Sequence, residues 1–161
     1  PALCDAGINF NFHTHRILRP DFTRAMIPHT ATDANTIVLS IFPGIQENLL
    51  RHIIEAPELR SIVMRSYGSG NAPQHPWLLQ LLNEASKRGV VVVNISQCIA
   101  GSVEMERYDT GFQLKNAGVV SGYDSTVEAA LTKLMHLQAL HRDSNLIRQL
   151  MNQSIAGEIS V

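Results

Sequence analysis

A chain of 161 residues with 45% apolar and 17% charged side chains is long enough to bury one sizeable core and lies far from the compositions that stay disordered. Thirteen basic residues face fourteen acidic ones for a formal net charge of -1, and no Lys/Arg run exceeds two, which excludes nucleic-acid or membrane-surface binding driven by charge. No apolar stretch approaches the roughly 20 residues of a membrane helix, and Cys4 and Cys98 form no CxxC pair, so the reading is two free thiols in a reducing cytoplasm and neither a disulfide framework nor a zinc site.

Residues 1–33 carry no helical period, include Pro20 and Pro28, and open on PALCDAGINF without an initiating Met. They read as a linker or peripheral strand leading into a domain over 34–161, and the abrupt start reads as an excised domain. From Asn35 the pattern changes. TIVLSIF, Thr36 to Phe42, is β-branched and apolar on successive positions, as in a strand buried on both faces of a parallel sheet. Pro43-Gly44 ends it, and Ile45, Leu49, Ile53 and Ile54 recur at helical spacing until Pro57.

The unit then repeats. SIVMRSYG predicts a second strand closed by Gly68 and Gly70; Pro76 suits a first helical turn, and Leu78, Leu81, Leu82 and Ala85 form a stripe that ends at Gly89. VVVVNIS, Val90 to Ser96, is the strongest strand of the chain, and irregular sequence follows it. After a short FQLKNAG helix and a VVSG run comes STVEAALTKLMHLQALH, opened by a capping box of Ser125 and Glu128, with Val127, Ala130, Leu131 and Leu134 on its apolar stripe. A last helix, N-capped by Asp143, carries Ile147, Leu150 and Met151 on one face and breaks at Gly157. Strands alternating with helices predict an α/β fold of three α-β-α layers, Rossmann- or flavodoxin-like, around a small parallel sheet of about four strands.

Ligands of such sheets bind outside the carboxyl ends of the strands, which here selects Pro43-Gly44, Arg65 to Pro73, and Ser96 to Gly101. GSGNAP resembles the dinucleotide fingerprint only superficially, because Pro73 replaces its third glycine and no acidic residue follows at ribose distance. A tight turn with permissive φ at Gly68 and Gly70 explains the glycines but not Arg65 or Asn71. An arginine near the end of a core strand either pairs with an internal carboxylate or awaits an anionic ligand. Cys98 follows the strongest strand but has no adjacent base or cation to make it a nucleophile. His13 and His15 would share one side of a strand without a third metal ligand nearby, and His29, His52, His75, His136 and His141 are scattered. Glu104 and Glu106, with Tyr108, fall in the irregular loop as surface charge or as residues lent to a site elsewhere.

Taken together, RSYGSGNAPQ, GVVVVNISQCIAGSVEMERYDTG and AGVVSGYDSTVEAALTKL resemble, in order and spacing, the C-terminal half of cytoplasmic type I bacterial L-asparaginases. The likeness covers essentially the whole chain and is closest from Arg65 to Leu134. It implies a parent enzyme that hydrolyses L-asparagine to L-aspartate and ammonia without a cofactor, using a threonine nucleophile in an N-terminal domain and backbone amides for the oxyanion. The family's T-G-G-T and H-G-T-D-T motifs do not occur in this sequence, so the chain alone is expected to be inactive. The resemblance further implies a dimer or tetramer, a pocket completed by the neighbouring subunit and, in allosteric members, a second asparagine near this domain. At the matching positions Arg65 would pair with the ligand's α-carboxylate, Asn71 and Ser96 would hydrogen-bond its polar groups, and Cys98 would line the pocket. Position 96 is commonly Thr in allosteric relatives; Ser keeps the hydroxyl. Rival readings are a stand-alone amino-acid-sensing domain, the amidotransferase subunit of like fold that releases ammonia from glutamine for tRNA charging, and a Rossmann-type cofactor domain, which Pro73 and the missing acid disfavour.

Overall fold

A computed structural model describes residues 2–17, 19–23, 25–106 and 109–160. Four strands form one parallel sheet: β3 (Thr36–Ser40), β4 (Ser61–Ser66), β5 (Val91–Ser96) and β6 (Val119–Ser121), ordered β3-β4-β5-β6. β1 (Cys4–Ala6) and β2 (Phe10–Phe12) pair separately as an antiparallel hairpin. Between the parallel strands run α1 (Glu47–Ile54), α2 (Pro76–Lys87) and α3 (Asp109–Asn116); α4 (Val127–Leu140) and α5 (Ser144–Met151) follow β6.

The layers follow from connection handedness. Right-handed crossovers between strands laid down in sequential order place every intervening helix on the same face. One buried cluster accordingly joins Ile62, Met64 and Val92 of the sheet to Leu50, Leu78, Leu81 and Leu114 of the first three helices. The opposite parity, Val63, Val91, Val93 and Ile95, packs on Ala130, Leu134 and Leu137 of α4 and on Ile147 and Met151 of α5. Each fully buried leucine in these layers stabilises the fold by about 1.5–3 kcal/mol. The predicted three-layer α/β architecture with its four-stranded parallel sheet is the one observed. No helix among the described residues is long and apolar enough to cross a membrane.

Local expectations shift in four places. Leu49 and Ile53 are exposed while Leu50 and Ile54 bury, because α1 starts at Glu47 and the sheet meets the face one residue later in the helix. The cap of α4 is Thr126, whose side chain accepts from the Ala129 amide; the expected Ser125–Glu128 box gives way to a cap one residue on, since Ser125 is held in the preceding turn by its amide to Gly122 O. α3 begins at Asp109, earlier than the FQLKNAG run. α5 ends at Met151 rather than Gly157, because the chain beyond it is drawn off by Lys133, which is buried and whose Nζ donates to Met151 O at 3.3 Å, Gln153 O at 2.5 Å and Glu158 Oε1 at 2.5 Å.

Candidate functional site

The quoted glycine turn lies at the carboxyl end of β4. Gly68 and Gly70 have φ of 49° and 108°, the left-handed region where only glycine is unstrained, and they fold the chain back so that Tyr67 and Asn71 pair through both backbone directions, at 2.7 and 2.9 Å. Gly70 also meets a steric limit: a Cβ there would lie 2.7 Å from Val103 Cγ1.

Two side chains of β5 hold the turn from beneath. Asn94, fully buried, donates from Nδ2 to Gly70 O at 2.9 Å, and Ser96 Oγ donates to Gly68 O at 2.6 Å. Ser96 Oγ also accepts the Cys98 amide at 2.9 Å. Ser96 therefore has one lone pair left for a ligand, and its hydroxyl proton is committed to the turn. Cys98 is exposed. Gln97 adds a strut across the strand ends, with Nε2 donating to Ile41 O at 2.6 Å and Arg65 O at 2.9 Å.

Strand parity separates the predicted residues. Arg65 lies on the α4/α5 side with Val63, whereas Asn94 and Ser96 lie on the side of the first three helices. Arg65 is half-buried; its Nη1 reaches Ser40 Oγ at 3.4 Å, and its buried Nε has no hydrogen-bond partner among the described residues. Among the described residues no carboxylate pairs with it. Asn71 accepts at Oδ1 from Thr110 Oγ1 of α3 at 2.5 Å, and among the described residues its Nδ2 has no hydrogen-bond partner. Arg65, Asn71, Ser96 and Cys98 thus share the carboxyl end of the β4–β5 pair, joined through the backbone of the turn. Arg65 and Asn71 leave donors uncommitted there and Ser96 leaves a lone pair, which suits a ligand with oxygen acceptors.

The remaining candidates fall elsewhere. His13 and His15 are not on a strand; they sit in a 3-10 turn after β2, rings 6.0 Å apart, with His13 Nε2 2.9 Å from Asp5 Oδ2. Among the described residues no group of three metal-ligating side chains forms. Glu106 pairs with Lys115 at 2.5 Å on the surface, a contact that holds its carboxyl below the usual range, and Tyr108 lies outside the described residues. A cavity of about 640 Å³, lined by Glu104, Met105, Lys115, Tyr123 and neighbours, opens beside β6 and contains none of the four predicted residues. Sequence reading passed over Asn94, Gln97 and Thr110. For Asn94 a signal was present, because a polar side chain inside an apolar strand run needs a buried partner.

With this geometry in view, the similarities to known proteins take on meaning. Residues 35–151 match the family described as the glutaminase/asparaginase C-terminal domain. Over 163 aligned residues the chain is 42% identical to L-asparaginase 1 of Escherichia coli (strain K12), covering 99% of this chain and 47% of that protein. The crystal structure of L-asparaginase I from Vibrio cholerae superposes with a TM-score of 0.85 at 38% identity, and the thermostable L-asparaginase from Thermococcus kodakarensis with 0.83 at 30%; each covers 100% of this chain and 48% of its own. The chain spans about half the length of these relatives.

Proposed function

This chain belongs to the family of glutaminase/asparaginase C-terminal domains, and on that premise we propose that it is the C-terminal part of a cytoplasmic L-asparaginase that hydrolyses L-asparagine to L-aspartate and ammonia. The catalytic threonines stand in a preceding domain, to which residues 1–33 form the connection. That segment displays Phe10, Phe12, Phe22 and Met26 with little cover from the rest of the chain, an apolar surface suited to a packed neighbour. The protein works as a homo-oligomer, and this chain contributes an amino-acid pocket at the β4–β5 end, of regulatory or site-completing role.

A single observation carries the pocket: Arg65, half-buried and lacking a carboxylate partner among the described residues. A guanidinium in that state binds an α-carboxylate through its planar fork. Asn71 Nδ2 meets a second ligand oxygen, Ser96 offers its remaining lone pair, and Cys98 lines the rim. Calorimetric titration of the 161-residue chain with L-asparagine tests this, with L-aspartate and D-asparagine as controls. Saturable, stereoselective binding that disappears in Arg65→Ala is expected; binding that survives Arg65→Ala removes the pocket from this position.

A further inference from the structure

We propose that Thr110 is a positioning residue for Asn71, restraining its amide so that Nδ2 is the end left to the ligand; the inference rests on the Arg65–Asn71 pocket just described. A primary amide offers an acceptor at one end and two donors at the other, and a half-turn about its last bond exchanges them. Thr110 Oγ1 donates to Oδ1 at 2.5 Å. With Oδ1 occupied, Nδ2 is the end left to the ligand, so Asn71 and Arg65 both present donors. At the Asn71 end the pocket then favours an oxygen acceptor, a carboxylate or an amide carbonyl, over an ammonium group.

Several contacts fix the hydroxyl where this requires. Gly111, the next residue of α3, rests on the backbone of Met105: a Cβ there would stand 2.6 Å from Met105 O and 2.8 Å from its Cα, so only glycine lets the helix lie this close. The same loop is tied to the turn, because the Glu104 amide donates to Ser69 O at 3.0 Å and Val103 packs against Gly70. Turn, Asn71, Thr110, α3 and loop therefore close into a ring. Rotation of the Asn71 amide is restrained through that ring, and among the described residues the hydroxyl of Thr110 is its one side-chain link to the amide.

Substitutions at Thr110 and Asn71, read by two measurements, test the assignment. In Thr110→Val, which keeps the shape and removes the hydroxyl, the ¹⁵N order parameter of the Asn71 side-chain amide, measured without ligand, is expected to fall. Affinity for L-asparagine in the same variant is expected to weaken by about tenfold, the scale of one neutral hydrogen bond. Thr110→Ser is expected to restore both. On an Asn71→Ala background Thr110→Val is expected to have no further effect on affinity. Equal losses in both backgrounds would make Thr110 merely structural, and an unchanged order parameter with unchanged affinity would overturn the assignment while leaving the pocket intact. Failure of the pocket itself reads differently: absent binding, or binding insensitive to Arg65→Ala, removes the pocket and the role of Thr110 with it, whatever the order parameter.

Discussion

Arg60 directly precedes β4 and Arg65 is its last residue but one, and the molecule treats them in opposite ways. Arg60, at the entry of the strand, gives Nη1 to Asp33 Oδ2 at 2.5 Å and to Gln138 O at 3.1 Å, and Nη2 to His141 O at 3.4 Å. Asp33 answers with a carboxyl held below its usual range, first by the Asn35 amide and then by Arg60. Arg65, near the exit, has Ser40 Oγ at 3.4 Å and a buried Nε with no hydrogen-bond partner among the described residues. The residue type is the same and both are half-buried; the difference is which end of the sheet each occupies. At the amino end the Arg60 guanidinium is matched internally; at the carboxyl end, where sheets of this class bind ligands, the Arg65 guanidinium is left with capacity to spare.

The contrast sharpens first at Lys133, the internally committed cation with the most complete set of partners. Lys133→Ala strips the Glu158 carboxylate of its counter-charge in a buried setting and is expected to cost about 3–5 kcal/mol, read from urea unfolding. Acid provides the same test without a mutation. Burial by itself raises the Glu158 pKa, but hydrogen bonds from Lys133 and from the Ala156 and Ile155 amides outweigh it and bring the group from 4.5 to about 2. A carboxyl whose pKa is depressed by folding contributes stability above its unfolded value and loses it as pH falls from about 4.5 toward 2, here on the order of 3 kcal/mol. Urea midpoints between pH 6 and 2.5 are expected to show that loss, with a shallower slope in Glu158→Gln. Arg60→Ala comes next: it leaves Asp33 and two carbonyls without their donor and is expected to cost about 2 kcal/mol by the same unfolding measurement.

How much of this was readable from residues alone follows the range of the interactions. The sheet was readable because runs such as Val90–Val93 are apolar on both parities, which only a strand covered on two faces requires. Helix faces were readable to within one residue: of the expected Ile45, Leu49, Ile53 and Ile54, the first and last bury, while Leu50 buries in place of Leu49 and Ile53 is exposed, because neighbouring apolar residues leave the starting point of α1 to decide which meets the sheet. The glycine turn announced itself through Gly68 and Gly70. Its supports did not, since Asn94 reaches Gly70 and Thr110 reaches Asn71 across 24 and 39 residues, and no local pattern encodes such pairs. The opposite fates of Arg60 and Arg65 were hidden for the same reason: Asp33 and the end of α4 are distant in sequence, and an arginine does not disclose its partner.

The smallest expected change in stability is the most informative. Arg65→Ala removes one long hydrogen bond and a buried donor without a partner, so unfolding is expected to shift by no more than about 0.5 kcal/mol, well under the Arg60→Ala loss, while L-asparagine binding disappears. Arg65→Lys keeps the charge but not the planar fork; stability should again hold while affinity falls by at least about tenfold, since a point charge cannot reproduce a bidentate grip on a carboxylate. A stability loss for Arg65→Ala as large as that of Arg60→Ala would mean that the guanidinium is committed internally after all. The two ends of β4 would then be alike, and the carboxyl end would lose its claim to a ligand. Retained stability with lost binding would instead mark Arg65 as a side chain the fold can do without and the pocket cannot.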